Sequence, residues 1–156
     1  MHCWAPLRRA LTLLAPLTLL AQSSAIINPL PASRLVIEAG KTGAAKISFR
    51  LTPGYHTNTN TPSDEYLIPM KLTWDAAPLV VEGVDYPKGS MEKYAFSEKP
   101  LSVYSGNFDL TTRFKAPANA AKGPHTVKGK LRFQACSTTM CFPPKTVAVE
   151  LPVQIH

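Results

Sequence analysis

Two cysteines separated by four residues offer the most specific chemistry in this chain. Cys136 and Cys141 lie within residues 134–144, a segment that ends in a double proline. Two thiols at this spacing can form a disulfide that exchanges with other proteins, a structural cross-link, or part of a metal site. The surrounding sequence and the length of the loop bear on which of these three uses applies.

The residues on both sides of the cysteine loop alternate between apolar and polar side chains. Residues 127–135 carry apolar or small side chains at odd positions and Lys, Arg or Gln at even positions, and residues 147–151 alternate in the same way. A period of two is typical of β-strands with one buried face. We therefore expect a hairpin-like connection that brings the two cysteines within the Cα separation of about 4.4–6.8 Å that a disulfide needs.

A disulfide across such a short loop contributes little to stability. The entropic model gives a closed loop of about six residues only about 2 kcal/mol, and strained or exposed disulfides are the readily reduced ones. Two thiolates also fall short of the four ligands of a structural zinc site. The pair is therefore predicted to be redox-active, with no metal and no other cofactor, and a structural disulfide is the first alternative.

Residues 1–25 are predicted to form a secretory signal peptide. Residues 1–9 contain no acidic residue and end in the two basic residues Arg8 and Arg9. A leucine-rich apolar run covers residues 10–21, and small residues follow up to Ala25. The apolar run is too short for a comfortable membrane span, although an uncleaved anchor is the alternative. Export implies an oxidising compartment, in which disulfides form and persist.

Removal of that segment leaves one domain, residues 26–156, with two of the three cysteines. A chain of this length can bury a core without the help of disulfides. The net charge falls from +7 to +5, because both removed charges are arginines, and the remaining lysines are scattered singly. Scattered lysines do not form the basic patch of a nucleic-acid-binding protein, so we expect no nucleic-acid partner.

Short alternating segments separated by proline and glycine run through residues 26–156. Seven or eight such segments without an amphipathic helix predict an all-β fold, an immunoglobulin-like antiparallel β-sandwich of seven to eight strands. The predicted strands are 35–37, 47–51, 67–74, 79–84, 103–104, 108–114, 127–135 and 147–151. Between them, residues 26–33 are predicted to be a poorly ordered lead-in, 55–65 a polar loop and 85–100 an irregular stretch.

Four segments resemble one known family. Residues 134–146, with both cysteines and the double proline, are similar to the redox loop of the N-terminal periplasmic domain of DsbD, the thiol:disulfide interchange protein. Residues 54–58, 64–69 and 96–104 resemble the same family. The resemblance covers nearly the whole chain after the signal peptide, and it implies an immunoglobulin-like fold and localisation in the periplasm.

The resemblance also implies a role in electron transfer. The disulfide would take electrons from a thioredoxin-like or DsbD-type membrane donor, and the dithiol would reduce disulfide-bearing periplasmic proteins, as a component of a protein-disulfide reductase. The second cysteine of the family's pair forms the mixed disulfide, so Cys141 is expected to attack and Cys136 to resolve. DsbD continues into transmembrane and thioredoxin-like domains whereas this chain ends at His156, so we expect a free-standing, monomeric module with a separate donor.

In the family an aromatic residue on a cap loop shields the cysteines, and residues 86–96 match that loop in position. Phe96 is our first candidate for the capping ring and Tyr94 the second, although a core position for Phe96 is equally consistent with the sequence. His56 is expected either in a solvated loop or in the lining of the site. The other predicted lining residues are Tyr86, Asn58, Phe142 and Pro143.

Two alternatives from other functional classes stay open. A disulfide-stapled sandwich could act only by binding partner proteins, and a reduction potential below about −300 mV would favour it. A Cu(I) carrier is the other, because Met140 adds a thioether to the two thiolates and Cu(I) prefers soft sulfur ligands. Asp64 and Glu65 are expected as turn residues, with a proton-handling carboxylate near the cysteines as the alternative.

Overall fold

The computed structural model describes residues 25–156, and all regular structure in that part is β-strand. The signal-peptide prediction therefore falls, except for Ala25, on residues outside the described part. Across residues 25–156, no helix is long and apolar enough to cross a membrane. The strands are β1 (Ile27–Pro29), β2 (Leu35–Ile37), β3 (Thr42–Leu51), β4 (His56–Asn58), β5 (Lys71–Asp75), β6 (Val80–Asp85), β7 (Ser90–Glu92), β8 (Leu101–Ser105), β9 (Asn107–Lys115), β10 (Gly123–Phe133), β11 (Ala135–Cys136) and β12 (Lys145–Ile155).

The strands form three four-stranded sheets. The first has the order β1-β3-β9-β6, the second β2-β12-β10-β5, and the third β11-β4-β8-β7. Every pairing is antiparallel except that of β2 with β12. The longest pairing joins β10 to β12 and leads directly into the cysteine loop, which closes between Phe133 and Lys145.

The hydrophobic core lies between the first two sheets. Alternate residues of β3 and β9 point into it from one side, and alternate residues of β10 and β12 from the other. Trp74 of β5 connects the two sheets. Its ring packs edge-on against Phe114 of β9 at 5.5 Å, and its Nε1 donates to Thr112 Oγ1 at 3.0 Å. The predicted all-β sandwich is confirmed.

Four short strands, β1, β4, β7 and β11, account for the difference between the twelve observed strands and the eight segments that the sequence predicted. The expected lead-in contains β1, where Ile27 is fully buried and pairs with Leu51. The expected irregular stretch contains β7, and residues 135–136 form β11. β5 also begins later than predicted, at Lys71, because the backbone of residues 67–70 leaves the sheet and Met70 N donates to Thr59 O.

The prediction of a polar loop at residues 55–65 is wrong in its first part. Residues 56–59 are all buried, and His56–Asn58 form β4, which lies between β11 and β8. Alternation could not reveal this strand, because both of its faces are covered and all of its side chains are polar. β4 thus places a buried polar strand directly beside the first cysteine.

Candidate redox site

Cys136 and Cys141 form a disulfide at the edge of the third sheet. Cys136 ends β11, and Cys141 faces it as an antiparallel bridge across the loop. Their Cα atoms are 3.9 Å apart, slightly closer than the range expected from the sequence. The pairing predicted from the spacing is therefore present, at the mouth of a hairpin formed by β11 and the residues leading into β12.

The loop between the cysteines is closed by its own hydrogen bonds. Ser137 N donates to Met140 O at 2.8 Å, and Phe142 N donates to Ala135 O at 2.9 Å. Ser137 Oγ accepts from the backbone amides of Thr139 at 3.3 Å and Met140 at 3.2 Å. These bonds hold a tight four-residue turn whose tip, including Met140, is exposed.

The two cysteines differ in exposure. Cys136 is completely buried, whereas Cys141 is partly exposed. An incoming thiolate must approach a disulfide sulfur in line with the bond that breaks. Cys141 is therefore the end of the disulfide that offers surface to a partner protein, and Cys136 is covered by the protein itself.

Gln134 fixes the cysteine hairpin to the neighbouring segments. Its Oε1 accepts from Asn58 Nδ2 at 3.0 Å and from Ile68 N at 3.1 Å, and its Nε2 donates to Phe142 O at 3.2 Å. Asn58 Nδ2 also donates to Ile68 O at 3.2 Å, while its buried Oδ1 has no partner in the described part. Because these contacts join both sides of the hairpin to β4, they position the disulfide.

His56 is the direct neighbour of Cys136 across the third sheet. It is paired with Cys136 on one side and with Ser105 on the other, and its side chain is only 3% exposed. Its Nε2 has no hydrogen-bond partner within residues 25–156. Burial lowers the pKa of His56, and the negative charge of Glu92 partly opposes that shift. The structure thus places His56 in the site and not in a solvated loop.

Tyr94 stacks directly on His56. The two ring centroids are 3.9 Å apart and the planes differ by 12°. Phe96 continues the stack from Tyr94 at 5.5 Å but lies 6.3 Å from His56, and it is 36% exposed, which excludes a core position. The cap loop that the sequence predicted at residues 86–96 contains β7 (Ser90–Glu92), so from here on we restrict the name cap loop to residues 93–99. This loop covers His56 mainly through Tyr94.

Glu92 anchors the cap loop. Tyr94 Oη donates to Glu92 Oε2 at 2.6 Å, and Ser90 Oγ donates to Glu92 Oε1 at 2.9 Å. These hydrogen bonds, the Tyr94 bond foremost, lower the pKa of Glu92. Burial raises the pKa of Tyr94, and the bond to Glu92 adds to that effect. The phenol therefore stays protonated and the carboxylate ionised near neutral pH, which maintains the bond between them.

The sequence matches the family model described as thiol:disulfide interchange protein DsbD, N-terminal, over residues 23–152. The chain belongs to this family. Membership and the Cys136–Cys141 disulfide together indicate thiol–disulfide interchange with redox partners. No curated protein matches the chain.

Two solved structures match this chain at low sequence identity. The N-terminal periplasmic domain of ScsB from Proteus mirabilis is 18% identical over 80% of this chain, with a TM-score of 0.51. The match spans 44% of the ScsB chain. The DsbD N-terminal domain of Neisseria meningitidis, in the reduced form, is 19% identical over 74% of this chain and 82% of its own, with a TM-score of 0.49.

Most of the lining predicted from the DsbD resemblance lies close to the cysteines. Asn58 contacts Gln134, and Phe142 follows Cys141 and lies 6.0 Å from the ring of Tyr55. Pro143 is exposed beside Phe142. Tyr86 is the exception: its hydroxyl accepts from Leu72 N at 2.9 Å and its ring packs against the hydrophobic core, outside the stack of His56, Tyr94 and Phe96.

The carboxylate of this DsbD-family site is Glu92, which the sequence reasoning missed. Asp64 and Glu65 are exposed, and Asp64 Oδ1 accepts from Tyr66 N at 3.1 Å, as expected of a turn residue. The available signal was the spacing of Glu92 and Tyr94, because residues two apart in an extended segment share a face. Among residues 25–156, the redox site included, no three or more His, Cys, Asp or Glu side chains are arranged to hold a metal ion.

A groove borders the outer side of the cap loop. It encloses about 350 Å³ between residues 63–67 and residues 96–101, with Phe96 in its wall. Tyr66, which also lines it, is 82% exposed. The exposed rings of Tyr66 and Phe96 therefore both border this groove, which lies on the surface near the redox site.

Proposed function

We propose that this chain is an exported thiol–disulfide interchange protein of the periplasm. It accepts electrons from a thioredoxin-like or DsbD-type membrane donor and passes them through Cys141 and Cys136 to disulfide-bearing proteins. Membership of the DsbD N-terminal family and the disulfide between these cysteines support the chemistry. The description of the ScsB domain as periplasmic supports the location.

The observation that carries the proposal is the unequal exposure of the two cysteines. Cys141 is partly exposed and Cys136 is fully buried. In the reduced protein, the Cys141 thiolate attacks a partner disulfide and forms a mixed disulfide, and one partner sulfur leaves. Cys136 then attacks Cys141, which releases the second partner thiol and restores the internal disulfide. The exchange moves two electrons to the partner and leaves the protein oxidised.

Trapping with single-cysteine variants tests the assignment. Cys136→Ser should accumulate a mixed disulfide with oxidised glutathione or a disulfide-bearing protein, because the attacking thiol is retained and the resolving thiol is lost. Cys141→Ser should form at least about tenfold less adduct, because its remaining thiol is buried. Mass spectrometry of acid-quenched samples measures both adducts. Equal trapping by the two variants would contradict the assigned roles.

The reduction potential separates this function from that of a stapled binding module. Equilibration of the Cys136–Cys141 pair against a glutathione buffer should give a potential above about −300 mV, since structural disulfides typically lie below that value. A lower potential, or failure of every protein dithiol to reduce the bond, would make the disulfide a cross-link. A Cu(I) titration of the reduced protein tests the third possibility.

A further inference from the structure

We infer that His56 is the proton acceptor for Cys136 in the resolving step. The inference rests on the proposed function, because it concerns the thiol that closes the mixed disulfide on Cys141. Cys136 is fully buried, and the desolvation that comes with burial favours the neutral thiol over the thiolate. Resolution from a buried thiol therefore needs a nearby group that can take the proton.

The sheet register brings His56 to the required place. Cys136 and His56 are paired on adjacent antiparallel strands, so their side chains project from the same face. The Cβ atoms of such pairs are about 4.5–5.5 Å apart, which lets an imidazole reach its neighbour's side chain. Across residues 25–156, His56 Nε2 is the only buried side-chain nitrogen left without a hydrogen-bond partner. The register thus places the His56 side chain beside that of Cys136, and its Nε2 is buried and free to accept a proton.

The groups around His56 suit a base that acts transiently. The titratable groups that face it are Cys136 on β11, Glu92 on β7 and Tyr94 in the cap loop. Burial keeps the imidazole neutral near pH 7, while the ionised Glu92 stabilises the imidazolium once a proton arrives. Tyr94 stacks on the ring and is bonded to Glu92, so it holds the base and the carboxylate in one arrangement.

The resolving step conserves protons and electrons. The proton of the Cys136 thiol moves to His56 Nε2 as the Cys136 sulfur attacks the Cys141 sulfur. The bond between Cys141 and the partner sulfur breaks, and its electron pair leaves with the partner as a thiolate. His56 returns its proton to that thiolate or to water, so that the protein ends with a neutral histidine and an internal disulfide.

The pH profile of resolution tests the inference. Reduced protein mixed with Ellman's reagent releases one coloured thiolate when the adduct forms on Cys141 and a second when Cys136 resolves it. In His56→Phe, the second phase should be on the order of 100-fold slower at neutral pH, the lower end of what a general base contributes. Its rate should then fall about tenfold per pH unit below the pKa of the Cys136 thiol, and it should approach the wild-type rate above that pKa.

Two further variants make the result specific. Glu92→Gln should slow the second phase by a smaller factor, because the imidazolium loses its stabilising charge while the base remains. His125→Phe is the matched control: this histidine lies on β10 and contacts Ala121 O, so its removal should leave the profile unchanged. A His56→Phe profile identical to that of the wild type would overturn the inference.

The wild-type protein alone provides a second test, in case His56→Phe does not fold. Thiolate absorbance in Cys141→Ser gives the pKa of Cys136, and the wild-type second phase should stay fast below that value. If the rate of the second phase instead followed the fraction of Cys136 present as thiolate, no base would be assisting the step. Failure of the proposed function looks different, because no first phase and no adduct on Cys141 would then be seen.

Discussion

The two large sheets and the small third sheet of this protein are built in opposite ways. β3, β9, β10 and β12 have 9 to 11 residues each, alternate in burial over most of their length, and enclose an apolar core. The strands of the third sheet have 2 to 5 residues, and its β4 buries His56, Thr57 and Asn58 in succession. The sandwich is stabilised mainly by the burial of apolar side chains. The third sheet relies more on hydrogen bonds between side chains, such as that of Asn58 with Gln134, and on the ring stack of His56 and Tyr94.

This difference explains where exchange chemistry can occur. A polar atom buried without a partner costs about 1–3 kcal/mol, so it persists only where the surrounding structure maintains it. Both such side-chain atoms in residues 25–156, His56 Nε2 and Asn58 Oδ1, lie on β4 of the third sheet. The sandwich thus provides the stability, and the third sheet provides the reactive disulfide and the groups around it.

The largest effect should come from the core of the sandwich. Phe114→Ala removes a fully buried ring that packs against Trp74, and truncations of this kind cost about 3–5 kcal/mol. Urea unfolding measures the loss. At urea concentrations well below the transition, the reduction potential of the disulfide should match that of the wild type. A changed potential in the folded variant would show that the two parts are coupled.

Reduction of the disulfide should have a smaller effect. A closed loop of about six residues contributes about 2 kcal/mol in the entropic model, and β10 and β12 remain paired on both sides of the loop. The reduced protein should therefore stay folded, with its unfolding midpoint in urea only moderately lower. Far-UV circular dichroism of the oxidised and reduced forms checks this, and collapse of the sheet signal on reduction would contradict it.

The sequence predicted the large sheets well and the third sheet poorly, for a physical reason. Alternation marks strands with one apolar face, and the segment from Val127 to Phe133 is buried at every odd position as predicted. β4 carries no apolar residue, so its own composition does not predict its burial. It is buried because β11, β8 and the cap loop surround it. The disulfide was predictable from the spacing of the two cysteines together with the alternating segments on both sides of them.

The contacts around the disulfide were less accessible to sequence reasoning. Gln134 was predicted only as a residue on a polar strand face, yet it bonds to both Asn58 and Phe142. Those partners are separated from it by 76 and 8 residues, and a register between strands brings the distant one close. Local patterns predict the elements, whereas the pairing of short polar strands decides which side chains meet.

Acid should lower the free energy of unfolding of the protein through His56 of the third sheet. The pKa of His56 lies below 6.5 in the folded protein, so the unfolded chain binds more protons as the pH falls from about 6.5 towards that value. Stability should therefore decrease over this interval, by less than the loss caused by Phe114→Ala. Urea unfolding at about pH 7 and pH 5.5 measures the decrease. In His56→Phe the decrease should be smaller, and an equal decrease would assign the acid sensitivity to other groups.

The smallest effects should distinguish the two rings of the cap loop. Tyr94 stacks on His56 at 3.9 Å and bonds to Glu92, whereas Phe96 lies 6.3 Å from His56 and is partly exposed. An aromatic pair contributes about 0.5–1.5 kcal/mol, equivalent to about 2- to 12-fold in an opening equilibrium. Tyr94→Ala should therefore speed reduction of the disulfide by dithiothreitol by about that factor.

Phe96→Ala should speed reduction less, by about twofold, because its ring stacks on Tyr94 and lies farther from the buried histidine than Tyr94 does. Tyr94→Phe separates the stack from the hydrogen bond, since it keeps the ring and removes the bond to Glu92. If Phe96→Ala accelerated reduction more than Tyr94→Ala, the outer ring would be the one that shields the cysteines. The cap loop would then protect the disulfide from the side of the groove, and the stack on His56 would serve only to hold the base.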